Sequence, residues 1–274
     1  MSGALPTGAC DTHFHIFGPT SRFPYDDKRT YTPPEAPKEA LMALHKRLGI
    51  DRGVIVQPGC HGFDNSVTLD AIATSHGAYR GIALVPTTVT KDEIAGLNRG
   101  GIRGVRFNFV KHLGAPPSLT DFRRVTDVIA PFGWHAVLHL SADDLETALP
   151  YLKPLEIPFV IDHLARINAA AGLDQAPFQK LLELTANPRA WVKISGMDRA
   201  SAAGAPFHDV VPFAQKLVAA APDRILWGTD WPHPNIKYPV PDDQGLVDLL
   251  SVAVPDAKAR ERILVDNPAQ LYGF

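Results

Sequence analysis

The sequence predicts a (β/α)8 barrel. Eight short apolar runs recur along the 274 residues, each closing on polar or glycine-rich positions. An amphipathic stretch follows most of them, and no GxGxxG follows any, which disfavours a doubly wound sheet. The first run, Ala9–His15, is followed by the longest loop, Phe17–Pro37, expected to fold over the barrel mouth. A helix over Glu39–Leu48 places Leu41, Leu44 and Leu48 on one face. Gly53–Gln57 holds Val54-Ile55-Val56, a continuous β-branched run suited to a parallel strand covered on both sides. Helix Ser66–His76 leads to strand Gly81–Pro86, and strand Gly104–Phe109 leads to helix Leu119–Ala130 with Val125, Val128 and Ile129 in register. Strand His135–Leu140, helix Asp143–Leu152, strand Pro158–His163 and helix Phe178–Ala186 continue the alternation. Strand Trp191–Ser195, helix Phe207–Ala221 and strand Ile225–Thr229 complete it.

Composition agrees and narrows the function classes. One barrel takes about 250 residues, so the whole chain, 1–274, reads as one domain. Hydrophobic residues make up 45% and charged residues 20%, ordinary for a packed protein and wrong for a disordered one. Lys plus Arg number 27 against 29 for Asp plus Glu, a net charge of -2 that gives no nucleic-acid or membrane footprint. No apolar run approaches the ~20 residues of a membrane helix. Met1 to Cys10 lacks a basic and an apolar signal region, and Cys10 and Cys60 are too few for a disulfide framework. The expectation is a cytoplasmic protein. The 25 prolines cluster in loops, which stiffens the connections rather than marking a linker.

Chemistry-bearing residues gather at the strand ends, where barrel active sites lie. Strand 1 closes on Asp11-Thr12-His13-Phe14-His15, and positions i and i+2 of a strand share a face, so His13 and His15 look into the barrel together. Strand 5 ends at His139, strand 6 at Asp162-His163 and strand 8 at Thr229-Asp230. Taken singly, each is as well read as a satisfied core histidine or a loop cap. Together they form a site whose imidazoles and carboxylate suit Zn2+ or a similar divalent ion.

The run Cys10-Asp11-Thr12-His13-Phe14-His15-Ile16-Phe17-Gly18 resembles the first strand of the amidohydrolase superfamily. Leu226-Trp227-Gly228-Thr229-Asp230-Trp231-Pro232-His233-Pro234 resembles its strand 8 signature, and Asn267 to Phe274 its closing segment. Segments Val105–Phe109, Val160–Arg166 and Val192–Gly196 resemble the branch holding 2-pyrone-4,6-dicarboxylate lactonase, 4-sulfomuconolactone hydrolase and the sugar-lactone hydrolases. The resemblance implies lactone hydrolysis, with Asp230 as general base and His13, His15 and His163 around the scissile carbonyl. Metal-free members of that branch carry a non-histidine residue where this chain has His139. That departure points towards a Zn2+ or Mn2+ ion held by His13, His15, His139 and Asp230. His163 then serves the oxyanion or the leaving oxygen. The metal-free alternative, in which the histidines alone polarise the carbonyl, stays open.

Arg106 and Arg199 resemble the carboxylate clamps of the branch, a task suited to the planar guanidinium fork. Lys111 and His112 are further candidate donors, and Tyr31 resembles a substrate-contacting tyrosine. Cys60 and His61 are expected to line the mouth, His233 to be structural, and Lys193 has no assigned role. The implied partner is a small anionic lactone. A metal-dependent decarboxylase, a lactone isomerase and a barrel that only binds small acids are the competing readings.

Overall fold

The structure, a computed structural model, describes residues 4–110, 116–236 and 239–274. Eight parallel strands follow one another in sequence order around the sheet. They are β1 (Cys10–Phe14), β2 (Arg52–Val56), β3 (Tyr79–Ala83), β4 (Ile102–Asn108), β5 (His135–His139), β6 (Phe159–Ile161), β7 (Ala190–Lys193) and β8 (Ile225–Leu226). β8 is only two residues long, where the apolar run predicts a strand reaching Thr229. From Trp227 on, the backbone joins β1 by isolated bonds instead of a ladder. The Thr12 N–H donates to the Trp227 carbonyl at 2.9 Å, and the Asp230 N–H to the His13 carbonyl at 2.7 Å. Gly228 permits this approach, since a Cβ there would lie 2.5 Å from the His13 nitrogen.

Helices α1 (Lys38–Leu48), α2 (Ser66–Thr74), α3 (Lys91–Arg99), α4 (Leu119–Ile129), α5 (Leu145–Leu152) and α6 (Ala176–Leu184) alternate with the strands. After β7 come the short α7 (Met197–Ala200) and α8 (Val211–Ala220). The chain ends in α9 (Asp243–Ala253), α10 (Ala257–Glu261) and α11 (Asn267–Tyr272). Helices α3 and α7 and the three closing helices are additions to the periodic reading. The start of α3 is a capping box in which Thr90 and Glu93 satisfy each other's backbone N–H groups. No helix of the described residues is long and apolar enough to cross a membrane.

The apolar interior has two layers. Val54, Val56, Ile82, Val137, Val160, Trp191 and Leu226 fill the barrel, and Tyr272 of α11 reaches the same cluster. Ile55, Ala136, Leu138, Phe159, Ile161 and Val192 face outward onto the helices. This alternation decides which polar residues enter the barrel. Continuing it by two residues from Val137, Val160 and Trp191 brings His139, Asp162 and Lys193 inward.

β1 needs one more device. From an inward Cys10, strict alternation would turn His13 outward. The β1–β2 register slips between Asp11 and Phe14, and this irregularity sends Phe14 out against His45 of α1 while both histidines look inward. The loop 17–37 is closed at its base by paired bonds between Phe17 and Ala36, and its Thr30 and Tyr31 reach the mouth.

Candidate active site

A cavity of about 530 Å³ opens at the carboxyl ends of the strands, with His15, His163 and Asp230 in its wall. Asp230 is 1% exposed and adopts a left-handed φ of 65°. Its Oδ2 accepts from Arg199 Nε at 2.6 Å. Its Oδ1 faces three imidazoles, with His15, His13 and His163 Nε2 at 3.5, 3.7 and 3.8 Å. Burial pushes this carboxyl up, but Arg199 and the neighbouring histidines outweigh it and hold it well below the usual range. Asp230 is therefore an ionised acceptor with one oxygen committed and one turned to the histidines.

The histidines are held from behind. His15 Nδ1–H donates to the Val56 carbonyl at 2.8 Å, which turns its Nε2 towards Asp230 Oδ1. His163 Nδ1 lies 2.9 Å from the Ser195 hydroxyl. Desolvation lowers His163 to about 4, so at neutral pH it carries no charge. His13 Nδ1 meets Lys193 Nζ at 3.2 Å and Asp162 Oδ1 at 3.3 Å, and its Nε2 has no bonded partner.

The chain after β6 turns the wrong way for L-residues. His163, Leu164, Ala165 and Arg166 all have φ between 51° and 54°, at a cost of about 1–2 kcal/mol per residue. This left-handed turn brings both His163 and Arg166 to the cavity. Gly196 makes room for it, because a Cβ there would lie 2.8 Å from His163 Nδ1.

Of the four expected ligands, His13, His15 and Asp230 bring ligand atoms within 4.8 Å of one another. His139 stands outside that group. Its Nε2 lies 3.5 Å from Arg166 Nη1, and its ring centroid 5.9 Å from that of His163. A second cluster among the described residues joins His13 to Asp162 and His163. Arg106, Arg199 and Tyr31 line the cavity. Lys111 and His112 lie outside the described residues.

Cys60 and His61 correct an expectation. Neither lines the cavity. Cys60 packs against Phe17 and Ala36, while His61 Nδ1 bonds the Pro24 carbonyl at 3.1 Å, so the turn fastens the first loop. His233 Nε2 bonds Asp243 at 3.0 Å and ties the strand 8 loop to α9. Three residues gain positions that the sequence reading did not assign. Asp162 bridges Lys193 at 3.1 Å and Arg106 at 3.3 Å, and Arg166 adds a third guanidinium to the wall. Strand alternation is a signal for Asp162 and Lys193, whereas nothing local announces the left-handed turn that delivers Arg166.

A barrel whose mouth combines an HxH pair, a third imidazole and a carboxylate after β8 defines a hydrolase-type (β/α)8 site. The chain belongs to the amidohydrolase family, whose model matches residues 10–274. It is 45% identical to a 4-sulfomuconolactone hydrolase of Rhizobium radiobacter over 100% of this chain and 92% of that protein. It is 41% identical to a 2-pyrone-4,6-dicarboxylate hydrolase of Comamonas testosteroni over 98% of this chain and 91% of that one. The fold superposes with a TM-score of 0.86 on an Acinetobacter baumannii structure with citric acid bound, named a probable 2-pyrone-4,6-dicarboxylic acid hydrolase. Identity there is 28%, covering 97% of this chain and 100% of that one.

Proposed function

We propose that this protein hydrolyses a small lactone bearing two anionic groups, of the 4-sulfomuconolactone or 2-pyrone-4,6-dicarboxylate type. The observation that carries the reading is Asp230, with one oxygen anchored by Arg199 and the other facing three imidazoles beside a guanidinium-lined cavity. Asp230 takes a proton from water as the water attacks the lactone carbonyl. Arg199 weakens that base, so the reaction depends on polarising the carbonyl, a task for the imidazoles that surround Asp230. Neutral His163 lies among them and is placed to meet the oxygen on which charge develops. Arg106, Arg166 and Arg199 receive the substrate's anionic groups, and Tyr31 closes over them.

His13, His15 and Asp230 also form a donor set of two nitrogens and one oxygen that fits a divalent ion such as Zn2+ or Mn2+. When bound there, such an ion supplies Lewis-acid polarisation and a more acidic water. His139 belongs to that set less readily, because Arg166 already faces its Nε2.

The test is turnover of both lactones by the purified chain, following ring opening by absorbance and acid release by pH-stat. Activity on at least one, with one acid equivalent and no carbon dioxide, is expected, and Asp230→Asn should lower kcat by at least about 10³-fold. Carbon dioxide release, or a shifted ester without acid release, would favour the decarboxylase or isomerase instead. Elemental analysis and chelation of the same preparation decide whether an ion is resident.

A further inference from the structure

We propose that His61 is a positioning residue, latching the segment 24–33 of the first loop so that Tyr31 stands over the cavity. The loop is held in two parts. Its base is fixed by the Phe17–Ala36 pair, by Thr20 bonded to Glu35 and by Phe23 in the apolar core. The segment beyond is exposed or half-buried along most of its length and leans on the short turn Gly59–His61. There the Asp26 N–H donates to the Cys60 carbonyl at 2.8 Å, and the Tyr25 ring stands edge-on to the His61 ring with centroids 4.9 Å apart. Gly62 admits Asp26, since a Cβ at that position would clash with the Asp26 Oδ2.

His61 joins the two parts. A carbonyl only accepts, so the proton on His61 Nδ1 goes to the Pro24 carbonyl at 3.1 Å, and Nε2 is left to accept the Gly18 N–H at 3.4 Å. One ring, 3% exposed, thus ties the base of the loop to the start of the segment. The segment carries Thr30 and Tyr31 to the wall of the cavity, beside Arg106 and Arg199, and Tyr31 packs against the fully buried Cys60. A largely exposed segment fastened at one turn opens as a unit at a smaller cost than the barrel beneath it. Opening takes Tyr31 away from the arginines and uncovers Cys60. His61 therefore acts on substrate capture through Tyr31, and not on the chemistry at Asp230. That role in capture rests on the proposed lactone reading, whereas the latch itself does not.

The experiment uses Cys60 as the reporter, and Cys10, sealed inside the barrel, as the control for global unfolding. Full-length protein is treated with N-ethylmaleimide under native conditions, and the two sites are followed by peptide mass mapping. In the wild type Cys60 should label at least about tenfold faster than Cys10, because local opening outpaces global unfolding. Equal rates overturn the proposal, whether or not any variant folds. His61→Ala should raise the Cys60 rate by about tenfold or more, the scale of one or two lost hydrogen bonds, and leave the Cys10 rate unchanged. His61→Gln, whose amide can donate to Pro24 and accept from Gly18, should stay within about threefold of the wild type. Acceleration of both cysteines alike, of neither, or of Cys60 equally in both variants refutes the latch. On a lactone that is turned over, His61→Ala should raise KM by about tenfold with kcat within about threefold, and a loss confined to kcat refutes the role in capture. Labelling needs no lactone, so failure of the proposed activity leaves the latch tested.

Discussion

Replacing Arg199 by Gln removes the one guanidinium among the described residues that is bonded to Asp230, at 2.6 Å with the two side chains 11% and 2% exposed. Breaking a buried pair from one side costs about 3–5 kcal/mol, because the remaining charge stays desolvated. Without that partner, burial pushes the Asp230 carboxyl up. The sign follows from linkage. In the wild type the Asp230 carboxyl is depressed, so its stabilising share is present above the ordinary carboxylate value and is lost as pH falls through the folded one. In the variant Asp230 protonates at a higher pH and sheds its buried charge. The stability gap should therefore be full at pH 7 and shrink towards pH 4. Urea unfolding followed by fluorescence of the four tryptophans suits the measurement. With a slope of about 3 kcal/mol per molar, the midpoint should fall by about 1–1.7 M at pH 7. A gap below about 1 kcal/mol at pH 7, or one that is the same at both pH values, would refute the electrostatic reasoning.

Acid should destabilise the fold well above the carboxylate range. Burial lowers His135 to about 3 and His163 to about 4, so the unfolded chain binds protons that the folded one refuses. Stability is then complete above the ordinary histidine value and falls by about 1.4 kcal/mol per pH unit for each such histidine between pH 6.5 and about 4. A flat urea-unfolding profile across that window would contradict it. Gly228→Ala should cost about 1–3 kcal/mol through overpacking against His13 and should lower turnover with it. A variant with wild-type urea midpoint and kcat would show that β1 and the strand 8 segment are not held that tightly.

The barrel was legible because parallel strands buried on both faces write themselves as continuous β-branched runs, as in Val54-Ile55-Val56 and Phe159-Val160-Ile161. The histidines and Asp230 were legible because strand ends place them at one mouth. Three features were not. The bulge in β1 leaves no composition signal, although it lets both His13 and His15 face inward. The left-handed turn at His163–Arg166 contains no glycine, and its room comes from Gly196 on another strand's connection. The clamp at Cys60 and His61 depends on a loop whose path only tertiary contacts fix.

Charge in the mouth bears on both substrate and ion. Arg106, Arg166, Arg199 and Lys193 supply four cations, whereas Asp162 and Asp230 supply two carboxylates in contact with them. Asp198, buried beside Arg199, adds a third carboxylate. Cationic side chains therefore still outnumber carboxylates around a partly desolvated cavity, which favours an anionic substrate over a neutral lactone. A divalent cation on His13, His15 and Asp230 would add to that positive charge, so the same arginines that attract an anion oppose an ion among the histidines.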